Sequence, residues 1–109
     1  MEISKSDWKL YRKKVAEWQE NFMSRLNDEY IALLSADDKI ASEKFWELEK
    51  RIRSDRRHPG VIIEVSKSNA VFDIVCLISL DVIVCDDLVD FSDNLQQAVK
   101  ALLDRYRNE

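Results

Sequence analysis

The chain has 109 residues, 46% hydrophobic and 35% charged, with a single Gly, a single Pro and a single His. That composition excludes a disordered chain and an all-β chain with many Gly/Pro turns. It also excludes glycine-dependent phosphate loops and multi-His metal sites, and leaves little scope for imidazole catalysis.

Seventeen Lys/Arg against 21 Asp/Glu give a net charge of −4, so no bulk attraction to nucleic acid or an anionic membrane is expected. The charge is uneven. Residues 1–60 hold 13 basic and 12 acidic side chains, whereas residues 61–109 hold 4 and 9. Cys76 and Cys85 are too few for a disulfide framework and lie in apolar runs, which reads as buried, reduced thiols in a reducing compartment. The polar Met1–Lys14 stretch lacks the apolar core of a signal peptide. The apolar run from Ala70 to Cys85 is interrupted by Asp73, Ser79 and Asp81 and falls short of the roughly 20 residues of a spanning helix. A cytoplasmic, soluble protein with no membrane contact is expected.

Trp8, Tyr11, Val15, Trp18, Phe22, Leu26 and Tyr30 recur at steps of three or four, with Leu33 and Leu34 following. This is one stripe of an amphipathic helix from about Ser6 to Leu34, capped by Ser6, with Asp7 at the positive end of the dipole. At 1.5 Å per residue the helix is on the order of 40 Å long. Part of it is therefore expected to be covered by a second copy, a homodimer through helix one. Ala41, Phe45, Leu48 and Ile52 form the stripe of a second helix, from about Asp38 to Arg56, and His58-Pro59-Gly60 stops it. The two helices should make an antiparallel hairpin.

Val61, Ile63 and Val65 suggest a short extended segment after Gly60. Between Val71 and Cys85 two periods compete. A buried helix from about Asn69 to Leu80, capped by Ser66 or Ser68, is favoured because no Gly or Asn is available for a turn near Asp81. Val82–Val84 is then extended and able to pair with Val61–Val65, which keeps open an α+β alternative with a small hairpin within 61–85. Asp86, Asp87, Leu88 and Phe91 suggest a short helical turn. Ser92 caps a last helix with apolar positions Leu95, Val99, Leu102, Leu103 and Tyr106. Asp93 in its first turn and Arg105 and Arg107 in its last complement the dipole.

Two charged clusters are the candidate sites, both for partner binding. The basic one comprises Lys50, Arg53, Arg56 and Arg57, with Trp46 one residue off its stripe and so exposed. Basic side chains beside an aromatic suit phosphates or an acidic partner, and an exposed Trp beside Arg suits a protein interface. Opposing this, Glu47 with Arg51 and Glu49 with Arg53 are i,i+4 pairs in the favourable order, as on a solvated helix end. The acidic cluster is Asp81, Asp86, Asp87, Asp90 and Asp93, a negative patch for a basic partner or an imitation of nucleic-acid phosphate. It lacks the central Gly and terminal Glu of a calcium loop, so no metal and no cofactor is expected. His58 reads as a helix-end residue, and no catalytic constellation emerges.

Glu43–Arg53 (EKFWELEKRIR), His58–Glu64 (HPGVIIE), Ser66–Asn69 (SKSN) and Asp90–Asp93 (DFSD) resemble a small uncharacterised family of Gram-positive bacteria, of about this length and often in mobile-element neighbourhoods. The resemblance spans nearly the whole chain and implies no established activity. Some relatives carry a transporter label, which the missing membrane span opposes. Mobile-element neighbourhoods imply an alternative: a small acidic inhibitor of a host nucleic-acid enzyme, as anti-CRISPR proteins are.

The expectation is one all-α domain over 1–109, a long N-terminal helical hairpin packed on a C-terminal helical part. Its expected function is that of a non-enzymatic protein–protein interaction or regulatory module with a protein partner. The alternatives are the inhibitor acting through its acidic patch and nucleic-acid binding through the basic end of helix two.

Overall fold

The computed structural model describes residues 3–107. The described chain is all-α. Its elements are α1 (Lys5–Ser35), α2 (Ala41–Asp55), α3 (Ala70–Ser79), a 3-10 turn (Cys85–Leu88) and α4 (Asp93–Arg107). No strand forms among the described residues, so Val61–Val65 and Val82–Val84 do not pair and the α+β alternative falls. The residues group into two compact units. One holds 3–18 with 64–107; the other is Gln19–Ile63.

The first unit contains nearly all of the core. Tyr11, Val15 and Trp18 of α1, Ile74, Val75, Leu77 and Ile78 of α3, and Leu95, Val99 and Leu103 of α4 are buried. The helical period of Val71–Ile78 therefore prevails over the period of two, because the segment is enclosed on most of its circumference. Tyr106, expected on the α4 stripe, is instead exposed. Cys76 is half-buried and Cys85 exposed, and both are free thiols, so Cys85 departs from the buried reading.

The caps differ from those expected. Ser4, not Ser6, starts α1: its carbonyl accepts from the Trp8 N–H at 2.9 Å and its hydroxyl from the Asp7 N–H at 3.1 Å. Neither Ser66 nor Ser68 caps α3, whose N-cap is Asn69 with no side-chain bond. Its C-terminus closes with Asp81 at φ 61. The Val82 N–H donates to the Leu77 carbonyl at 2.9 Å and the Asp81 N–H to that of Ile78 at 3.1 Å. This is a Schellman end with Asp in the left-handed position usually held by Gly. Buried Val82 and Leu77 supply its apolar contact.

The second unit is the antiparallel hairpin of the second half of α1 with α2. Lys44 Nζ donates to the Leu34 carbonyl at 3.0 Å, Arg51 lies 3.2 Å from Glu29, and the Gln19 amide donates to the Pro59 carbonyl at 3.0 Å. These contacts run in opposite directions along the two helices. Lys44 supplies the cation that α1 lacks in its own last turn. α2 begins at Ala41, after Ile40 and without a side-chain cap, rather than at Asp38.

Candidate functional site

The hairpin is thinly packed. Among its described apolar side chains only Leu26 is buried, and no residue of α2 is buried. Between the helices runs an open groove of about 330 Å³, lined by Met23, Leu26, Tyr30, Ile52 and Val61 among others. Polar contacts hold its edges. The Tyr30 hydroxyl donates to Asp55 at 2.6 Å, and its pKa is pushed up to about 12, by partial burial first and then by that bond. Arg51 bridges Glu29 and Asp55.

The stripe expected to be covered is therefore open. Phe45 is 62% and Trp46 65% exposed, and Ile52 is 44% exposed. The two aromatic rings meet edge to face with centroids 4.9 Å apart. Ile31 and Leu34 in the last turns of α1 and Ile40 in the connection are exposed at the same tip of the hairpin. The sequence marks Trp46 as exposed; it does not mark Phe45 or Ile52, because their helical spacing is that of a core face. A period identifies a face to be covered, not what covers it.

The base of the hairpin is built on Gly60. Its backbone lies against the Phe22 ring so closely that a Cβ would stand 2.3 Å from Cδ2. His58 stacks on the other part of this assembly, 4.5 Å from Phe22 between centroids and 17° from parallel, and its Nδ1 accepts from the Gly60 N–H at 2.9 Å. His58 is thus a helix-end residue with a structural role, as expected.

Within the basic cluster, Lys50, Arg53, Arg56 and Arg57 are all exposed. Arg53 pairs with Glu49 as the spacing predicts. Arg51 does not pair with Glu47; Glu47 is taken by Lys39. Arg56 borders the groove. The acidic cluster is more dispersed in role. Asp87 accepts from the Val84 N–H at 2.8 Å, Asp90 lies 3.8 Å from Lys14, and Asp81 occupies the left-handed position after α3. Asp86 and Asp93 are exposed.

The buried carboxylate is elsewhere. Asp7 is only 5% exposed and accepts from both the backbone N–H of Ser92, at 3.0 Å, and its hydroxyl. The same hydroxyl accepts from the Leu95 N–H at 3.2 Å, so Ser92 caps α4 as the sequence indicates. A cavity of about 620 Å³ beside this node is bordered by Ser4, Ser6, Asn94 and Val71. Asp7 is already the anion that these helix N-termini call for.

A second polar node joins α1 and α3. The Tyr11 hydroxyl and one Asp73 oxygen are buried without a hydrogen-bond partner. Burial, then the charge of Glu64, raises the Asp73 pKa; burial, then Asp73, raises that of Tyr11. A raised carboxyl contributes stability that is complete below the usual carboxylate range, near 4, and is lost as pH rises through its folded value. Asp73→Asn is therefore expected to stabilise the protein at pH 7, because the amide keeps the shape of the side chain without a charge to desolvate. The gain disappears at about pH 3, where both states hold a neutral carboxyl; urea titrations at the two pH values check this.

Among the described residues no group of three or more His, Cys, Asp or Glu is placed to hold a metal ion. No described helix is long and apolar enough to cross a membrane. Comparison of the chain with protein-family models, with curated proteins and with solved structures found no match.

Proposed function

We propose that this chain is a non-enzymatic protein-binding module of the cytoplasm, and that it works through the apolar face its hairpin leaves open. The observation that carries the reading is the exposed Phe45–Trp46 pair. Scattered surface apolars are ordinary, but adjacent exposed aromatics beside Arg are the side chains that dominate interface energies. Ile31, Leu34 and Ile40 extend the patch around one tip. The two rings meet edge to face, an arrangement aromatic pairs favour, and so present one joint apolar surface.

The alternatives have less support. Arg51 and Arg53 are held by carboxylates, which weakens a phosphate-binding reading of the basic cluster. Asp87 and Asp90 are engaged within the chain, which weakens the acidic-patch inhibitor.

The test is an affinity capture from cell lysate with and without nuclease, using the wild type and Phe45→Ser/Trp46→Ser. A protein retained after nuclease and lost with the double variant is the expected result. Material that disappears with nuclease, and is unaffected by the variant, would move the function to the Lys50–Arg57 end.

A further inference from the structure

We infer that the partner of the hairpin's apolar face is a second copy of this chain, seated antiparallel along α2; this rests on the reading of that face as a protein-binding surface.

Three features of α2 fit the face to itself. At 100° per residue, the edge turned toward α1 carries Lys44, Leu48, Arg51 and Asp55, three of which contact α1 directly, at Leu34, Glu29 and Tyr30. The adjoining side carries Phe45, Trp46 and Ile52 together with Glu49, Arg53 and Arg56, and these are the apolar side chains of α2 that stand open. It is a continuous half-face with aromatics at one end and Ile52 with two guanidinium groups at the other.

The charge of α2 together with the residues that flank it is polarised in the same direction. Residues 37–47 hold four acidic and two basic side chains, while 49–57 hold five basic and two acidic. A parallel pairing of two α2 helices would place like ends together. An antiparallel pairing places the acidic start of each beside the basic end of the other, and opposes the two helix dipoles favourably.

With the twofold axis near Glu49, the Phe45–Trp46 pair of one copy meets the Ile52–Arg56 end of its partner. There the Arg56 guanidinium lies over an aromatic face and the Ile52 side chain is covered. Glu49, next to the axis, brings its own counter-ion in Arg53. Charge does not keep two hairpins apart: residues 19–63 hold eight basic and nine acidic side chains, so most of the net −4 lies outside the face that must approach its twin. This places the second copy on α2, whereas the length of helix one taken alone places it on α1.

Sedimentation equilibrium of the purified chain over a range of concentrations tests it. The expected result is a reversible monomer–dimer equilibrium at twice the chain mass. Phe45→Ser/Trp46→Ser should raise the dissociation constant at least about 30-fold, the scale for losing a hot-spot aromatic. Arg53→Glu/Arg56→Glu should raise it about tenfold or more, with helix content by circular dichroism unchanged in both. A dimer insensitive to all four substitutions would overturn the antiparallel α2 face. A monomer at all concentrations also overturns the inference: if that monomer still captures a lysate protein through Phe45 and Trp46, the protein-binding reading stands, and if it captures none, both fail.

Discussion

Gly60→Ala is expected to destabilise the protein by about 3 kcal/mol, the upper range for forcing a methyl into a packed site. At this size of protein that is a fall of roughly 10–20 °C in midpoint. The cause is not the backbone conformation, since Gly60 has no positive φ. It is the Phe22 ring, which three atoms place within 2.7 Å of the added carbon. The ring has little room to retreat. His58 stacks on it and the Arg25 guanidinium sits 5.0 Å from its centroid. Thermal unfolding followed by circular dichroism measures the effect, and a double-mutant cycle assigns it. With Phe22→Ala in place the added methyl has space, so Gly60→Ala should then cost less than about 0.5 kcal/mol. Equal costs in both backgrounds would mean that the ring is not the obstacle.

Asp7→Ala carries the second large effect, a loss of about 2–4 kcal/mol. Two hydrogen bonds from Ser92 end on this carboxylate, which is almost fully buried. Bonds to a charged acceptor are worth about 1.5–3 kcal/mol each, part of which is offset because alanine no longer buries a charge, and their loss leaves the Ser92 N–H without its acceptor. The carboxylate also lies at the start of α1 and beside the start of α4, so both dipoles lose a compensating charge. Asp7→Asn keeps an acceptor oxygen and should cost about half as much. Urea denaturation gives both values, with an unchanged m-value showing that the folded state is preserved. Asp93→Ala, in the exposed first turn of α4, should stay within about 0.5 kcal/mol.

These two positions also show what the sequence can and cannot convey. The helices are legible because their stripes are long and their stops are chemical. Trp8 to Tyr30 keeps one period over more than six turns, His58-Pro59-Gly60 cannot continue a helix, and Ser92 before an apolar run is a cap. Gly60 is legible as a boundary, yet its reason, the Phe22 ring 38 positions earlier, is a tertiary contact with no local signal. Asp7 reads as a dipole complement in the first turn; its bond to Ser92 spans 85 positions and is invisible to spacing. The helix expected from about Asn69 to Leu80 forms, but its end is not legible, because the left-handed position after α3 is usually Gly or Asn and Asp81 fills it here.

The candidate site is half legible for a related reason. Trp46 stands off its stripe and so reads as exposed, but Phe45 and Ile52 sit on a clean stripe and read as core. Leu26 is the one described apolar side chain buried in the hairpin, and Phe45 and Ile52 remain open. The acidic cluster is conspicuous in the sequence because five Asp fall within thirteen positions. Three of them have local work, at a helix end, at a turn and against Lys14.

The most direct measurement is the folding stability of Phe45→Ser/Trp46→Ser by urea denaturation, at a protein concentration low enough for the wild type to be monomeric. If the aromatic pair serves binding rather than folding, the variant will unfold within about 0.5 kcal/mol of the wild type, as exposed positions do. A loss of about 3 kcal/mol or more, the cost of truncating a core aromatic, would show that Phe45 and Trp46 belong to the core and that the hairpin offers no such face.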